Sequence, residues 1–185
     1  MERIDRPNFI VITGGPGMGK TTLLNALQKQ DYIGIEEVGR AIIQEQLQSN
    51  GTGLPWRNQQ GFADLMLHQA MKDFKFIKEV HKPVFFDRGI PDVIGYLTLC
   101  HLEVPELMHK TAEYLRYNTK VFITPPWESI YTNDTERKQT FSEAIATYEI
   151  MLKTYTFYGY ECIELPKTTI ENRISFIQEK LASVF

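Results

Sequence analysis

Nine residues near the N-terminus, GGPGMGKTT at 14–22, restrict what this chain can fold into more than any other segment. Gly14, Gly19, Lys20 and Thr21 satisfy the spacing G-x-x-x-x-G-K-[ST], the Walker A pattern. The run Phe9–Thr13 before it is β-branched and aromatic, as a buried strand requires. The stretch Lys20–Gln30 after it carries Leu23, Leu24 and Leu27 on one helical face. A strand, a bare glycine-rich turn and a helix start together make a phosphate cradle. Phosphate oxygens need backbone N–H groups at close range, so side chains must be absent. The helix then directs the positive end of its dipole at the anion. The predicted cradle is Gly14, Gly15, Pro16, Gly17, Met18, Gly19, Lys20, Thr21 and Thr22, with Lys20 reaching the β- and γ-phosphates and the Thr21 hydroxyl offered to Mg²⁺. The spacing is not G-x-G-x-x-G, which disfavours a dinucleotide fold.

Downstream, strand and helix patterns alternate. Strands are expected at Tyr32–Glu36, Val84–Phe86, Val121–Ile123 and Tyr160–Leu165. Helices are expected at Val38–Gln48, Gln59–Val80, Pro91–Leu99, Pro105–Tyr117, Ser142–Tyr158 and Thr169–Ala182, with Gly51–Trp56 a loop. That order implies an α/β chain: a P-loop NTPase fold of three layers, α/β/α, around a mostly parallel five-stranded sheet. The 185 residues suit one such domain over 1–185, with 43% hydrophobic and 23% charged residues as in globular proteins.

Composition excludes other classes. A net charge of −3 is not that of a nucleic-acid-binding surface. MERIDRPNF lacks a signal-peptide core, and no apolar run is long enough to span a bilayer, so a cytoplasmic protein without nucleic-acid or membrane partners is expected. Cys100 and Cys162 have no metal spacing and read as buried thiols. Neither do His68, His81, His101 and His109.

Three further groups carry chemistry. VFFDRG at Val84–Gly89 ends an apolar strand in Asp87, the Walker B position for a Mg²⁺ ligand; the bland reading is a helix cap. Arg88 then faces a phosphate, a substrate anion or simply a surface partner. EEVGR at Glu36–Arg40 leaves the second strand where an acceptor would sit. Glu37 is the better candidate and Glu36 the alternative, because side chains alternate and the register is open. NDTERKQTF at Asn133–Phe141 occupies the place of a lid, 127–141, with Arg137 ahead of Lys138 as the residue that closes on the γ-phosphate. Trp56 and Trp127 sit beside prolines and suit either stacking on a base or substrate, or core packing.

On these segments, TGGPGMGKTTL, EEVGR, FFDRGIPDVIGY, PPW and YTNDTERKQTF…GYECIELP, the chain resembles the AAA-domain ATPases related to the kinase domain of the NadR protein, a subgroup of P-loop kinases. The likeness spans nearly the whole chain. EEVGR stands where that family usually has E-A-A-R and keeps the Glu and the Arg. The resemblance implies Lys20 and Thr21 at the phosphate, Glu37 and Arg40 toward the acceptor, Asp87 and Arg88 at the third strand, and Arg137 in the lid. The Asp-Arg at 87–88, in place of Asp-Glu, argues against an AAA+ motor.

Two functions remain. In one, the chain is a kinase that moves the γ-phosphoryl of Mg²⁺-ATP to a small-molecule hydroxyl. In the other, it is an ATPase or NTPase whose nucleotide state is read by a protein partner. Asn118-Thr119-Lys120-Val121 lacks the Asp of a guanine motif, so adenine is favoured. Under either, Lys20→Ala should weaken ATP binding severely, because a buried phosphate loses its main cation; equal ATP affinities of the two proteins by calorimetry would remove the assignment.

Overall fold

The computed structural model describes residues 2–77, 82–131 and 140–182. Its strands are β1 (Ile4–Asp5), β2 (Phe9–Gly14), β3 (Ile33–Ile35), β4 (Val84–Asp87), β5 (Leu115–Arg116), β6 (Lys120–Thr124) and β7 (Glu161–Glu164). Its α-helices are α1 (Lys20–Gln28), α2 (Val38–Gln48), α3 (Gln59–Phe76), α4 (Ile90–Leu99), α5 (Glu106–Tyr114), α6 (Phe141–Phe157) and α7 (Ile170–Leu181). Five strands form one parallel sheet in the order β3-β4-β2-β6-β7.

Every residue of β2 is buried, as its position in the middle of the sheet demands. Side chains alternate along it. Phe9 and Val11 face one apolar cluster, with Val84, Phe86, Leu67, Leu97 and Tyr155. Ile10 and Ile12 face another, with Leu23, Leu24 and Leu27 of α1 and Ile174 and Ile177 of α7. Helices therefore cover both faces, and the three-layer α/β/α arrangement is the P-loop NTPase fold expected from the alternation. A third cluster joins Ile42 and Ile43 of α2 to Phe62 of α3 and Leu54 of the intervening loop.

β2 lies between β4 and β6, with Ile12 opposite Asp87 and Gly14 opposite Thr124. The connection from β2 runs to β3 on one side of it and the connection from β4 crosses to β6 on the other, which opens a crevice at the carboxyl ends of the strands. The glycine-rich loop, the end of β3, the end of β4 and the segment after β6 all meet there.

Cys100 and Cys162, read as buried, are half-buried, and two expected helices end early. The expected helix Pro105–Tyr117 stops at Tyr114, and Leu115–Arg116 pairs in parallel with Ile4–Asp5 in a separate two-stranded sheet. Arg116 supplies the reason: its guanidinium lies over the Tyr160 ring at 3.9 Å and donates to Tyr158 O at 2.8 Å, which draws the backbone out of the helix. The expected helix Gln59–Val80 ends at Phe76, where Ile77 is extended; residues 78–80 lie outside the described residues. No helix among the described residues is long and apolar enough to cross a membrane.

At Gly14 the sheet and the loop make one joint demand. Its φ is +125°, and a Cβ there would lie 2.3 Å from Thr124 Oγ1 and 2.6 Å from Thr124 O. Gly14→Ala should therefore destabilise the nucleotide-free protein by about 2 kcal/mol or more in urea unfolding, a strain-and-clash cost. A change within about 0.5 kcal/mol would show that the strand tolerates a side chain there.

Candidate active site

The loop after β2 winds through left-handed residues Gly17 (φ 71°) and Gly19 (φ 79°), a conformation that glycine adopts without strain. Gly19 caps α1, and its carbonyl accepts from Leu23 N at 3.0 Å. Gly15 is required for a different reason from the one read in the sequence: a Cβ there would lie 2.4 Å from Ala144 O of α6. The bare backbone at Gly14 and Gly15 thus serves protein packing as well as phosphate approach. Met18 is buried behind the loop and Pro16 lines the crevice, while Thr22 is exposed on the first turn of α1.

Lys20 is buried, and its Nζ donates to Gly15 O at 2.7 Å. Burial, aided by repulsion from Arg88, lowers its ammonium to about 8; Asp87, Glu37 and Asp92 pull the other way. Thr21 Oγ1 donates to Asp87 Oδ2 at 3.2 Å. Burial raises the Asp87 carboxyl against the opposing pull of Lys20. Asp87 Oδ1 is buried and has no hydrogen-bond partner among the described residues. A carboxylate oxygen left unpaired beside a threonine hydroxyl suits a hard divalent cation. No group of three His, Cys, Asp or Glu residues able to hold a metal occurs among the described residues. The Thr21–Asp87 pair fits Mg²⁺, which commonly takes one or two protein oxygens with phosphate and water supplying the rest.

Arg88 sits at the β4–α4 turn with φ 77°, unusual for a residue with a side chain. That backbone aims the guanidinium at two carboxylates: Nε lies 3.5 Å from Glu37 Oε1 and Nη1 lies 3.0 Å from Asp92 Oδ1. Burial works against the charge, yet Glu37, Asp92 and Asp87 together raise the pKa of Arg88. Arg88 is therefore a member of the site and not a surface ion pair. Glu37 caps α2 beside it, half-buried, while Glu36 is exposed; both line the crevice. Arg40 is exposed on α2 and is not in the lining.

Two residues with a large part in the site were missed in the sequence. Asp92 is buried and accepts from Thr13 Oγ1 at 2.5 Å, Gly89 N at 2.8 Å, Tyr155 Oη at 2.6 Å and Arg88. Its place three residues after Gly89, at the start of a helix, was a readable signal. Arg173 of α7 donates from Nε to Pro166 O at 2.9 Å and from Nη1 to Met18 O at 3.3 Å. Its guanidinium faces the Trp127 ring at 5.0 Å, and Nη2 is buried without a partner among the described residues. No local pattern marks it.

Of the expected lid, Arg137 and Lys138 lie outside the described residues. Its two ends are described and meet. The rings of Tyr131 and Phe141 pack edge-on at 5.3 Å, and Thr140 and Glu143 form a reciprocal cap at the start of α6.

Beside this cluster opens a cavity of about 310 Å³, bounded by α2, α3, α4, α6 and the Gly51–Trp56 loop. Trp56 borders it with 63% of its surface exposed, which places it at a mouth and not in the core.

The sequence model of the family described as AAA domain matches residues 9–173. No curated protein sequence matches the chain. Among solved structures, a deoxyadenosine kinase from M. mycoides matches with TM-score 0.67 at 16% identity over 95% of this chain and 99% of that one. A NadR protein in complex with NR matches with TM-score 0.69 at 17% identity over 92% of this chain and 50% of that one. A thymidylate kinase from Ehrlichia chaffeensis matches with TM-score 0.63 at 18% identity over 94% of this chain and 97% of that one. At these identities the likeness is one of fold.

The lowered Lys20 ammonium would make the binding of a triphosphate at this loop pH-dependent. Below about 8 the free protein already carries the charge that a triphosphate needs; above it, binding must first return the proton. Calorimetric affinity for Mg²⁺-ATP should be level from pH 7 to 8, then fall toward about tenfold per pH unit as the pH rises further. An affinity level to pH 9.5 would show that Lys20 stays charged in the free protein.

Proposed function

The chain belongs to the AAA domain family, and from that membership and the cavity beside its phosphate loop we propose a Mg²⁺-dependent phosphotransferase that moves the γ-phosphoryl of ATP to a small-molecule hydroxyl. The observation that carries this reading is the cavity itself. A site that used water as its acceptor has no need of about 310 Å³ of apolar-walled space next to Asp87 and Glu37. Deoxyadenosine kinase and thymidylate kinase among the similar structures support it as well.

In this reading the loop Gly14–Thr22 and Lys20 hold the β- and γ-phosphates. Thr21 and Asp87 would hold Mg²⁺, which would supply charge neutralisation at the phosphate oxygens. Trp127, beside Arg173 and Met18, serves the nucleotide side, and Trp56 the acceptor side. Glu37, oriented by Arg88, accepts the hydroxyl proton as the acceptor oxygen bonds to the γ-phosphorus and the bond to the β-phosphate oxygen breaks, leaving ADP. Arg137, backed by Lys138, closes a lid over 127–141. Most of the rate comes from positioning and charge neutralisation. Residues 1–185 act as one such domain.

A panel of alcohols screened for ADP release with Mg²⁺-ATP finds the acceptor. Glu37→Gln should then keep ATP affinity near that of the parent and lower acceptor-dependent transfer by about a hundredfold or more. If the variant loses hydrolysis instead, and no alcohol stimulates the parent, the protein is an ATPase acting as a switch with a protein partner.

A further inference from the structure

The walls of the cavity carry information about its occupant. Four helices line it, α2 with Val38 and Ile43 among them. α3 contributes Phe62, Met66 and Ala70 along one stripe and ends it with Asp73. α4 adds Val93 and Tyr96, and α6 adds Met151. Phe62 and Tyr96 meet edge-on at 5.5 Å. From Phe62 to Asp73 the stripe runs about 16 Å at the helical rise. The space is thus long, with aromatic and methionine walls suited to a flat or apolar body.

The charges are one-sided. Glu36, Glu37, Asp73, Asp87 and Asp92 line the space, against the single guanidinium of Arg88. That guanidinium already faces Glu37 and Asp92. No lysine and no second arginine is in the lining among the described residues. Asp87 is buried on the wall, and its Oδ1 has no hydrogen-bond partner among the described residues. At the far end, Asp73 is half-buried; its Oδ1 accepts from Gln69 at 2.7 Å, and Oδ2 accepts from no described residue. An acceptor bearing a phosphate or carboxylate would be stripped of water here among like charges, with no cation of the described lining left to receive it. Bound Mg²⁺-ATP, itself negative, adds to that field.

We propose that the acceptor is an alcohol without phosphate or carboxylate, neutral or positively charged, whose apolar or aromatic body lies between α3, α4 and α6 and whose hydrogen-bond-donating end meets Asp73. This rests on the phosphotransferase reading and specifies its substrate. The transferable hydroxyl sits at Glu37. A cationic ring gains further from the aromatic walls.

The test uses four one-ring probes on the full chain with ¹³C-labelled methionine methyls: benzylamine, benzyl alcohol, benzoate and phenyl phosphate. Met66 and Met151 report occupancy by NMR, without turnover. Benzylamine and benzyl alcohol should shift both methyl signals, and the two anions should bind at least tenfold more weakly. Asp73→Asn should remove the advantage of benzylamine over benzyl alcohol. An anion that binds as tightly as the amine overturns the proposal, and so does a set in which no probe moves either methionine. An unchanged amine preference in Asp73→Asn removes Asp73 from it. The two readings fail separately. If the amine and alcohol bind as expected but no alcohol is phosphorylated, the charge preference stands and the phosphotransferase falls. Transfer to a phosphate-bearing acceptor leaves the phosphotransferase and sinks this inference.

Discussion

One buried carboxylate ties the working parts of this protein together. Asp92 receives the Thr13 hydroxyl from the end of β2, the Gly89 amide from the β4–α4 turn, the Tyr155 hydroxyl from α6 and the Arg88 guanidinium. A charge taken out of water is tolerable only when its lone pairs are filled, and here four donors fill them. Breaking such a buried network costs about 3–5 kcal/mol. The elements so joined are those that must hold still relative to one another: the strand leading into the phosphate loop, the strand that ends in Asp87, and the helix on which Gly15 rests.

From that anchor the rest of the site follows. Asp92 holds Arg88 in its left-handed backbone conformation, a strain of about 1–3 kcal/mol that neighbouring contacts must offset. Arg88 in turn brings Glu37 to the crevice, although Glu37 belongs to a different strand–helix junction. Lys20 and Asp87 then share one buried field, and Glu37 acts on the protonation of both. The consequence is a polar cluster whose charges nearly balance near the loop and turn negative toward the cavity.

Much of this was legible in the sequence. The phosphate loop, both flanking elements and the alternation of strands and helices rest on local patterns, and those patterns survive folding. The candidates Lys20, Thr21, Asp87, Glu37 and Arg88 do meet at one crevice. Their chemical roles remain those proposed above. The departures lie where distant contacts overrule local preference. Leu115–Arg116 reads as the last turn of a helix, yet Tyr158 and Tyr160 pull it into a short strand against the N-terminus. Arg173 carries no local signal at all, because its partners Met18, Pro166 and Trp127 come from three separate segments.

The sequence by itself determined the loop, the parallel character of the sheet and the residue types offered to a phosphate and a metal. These depend on glycine's freedom, strand–helix alternation and spacing along one continuous stretch. Only the tertiary structure decided that Glu37, and not Glu36, pairs with Arg88, since that requires the register of β3 against β4. Only it revealed Asp92 as the shared anchor, and a long cavity lined by acids. A side chain's partners in space are set by how elements pack, and packing joins residues that are up to 155 positions apart, as in Arg173 and Met18.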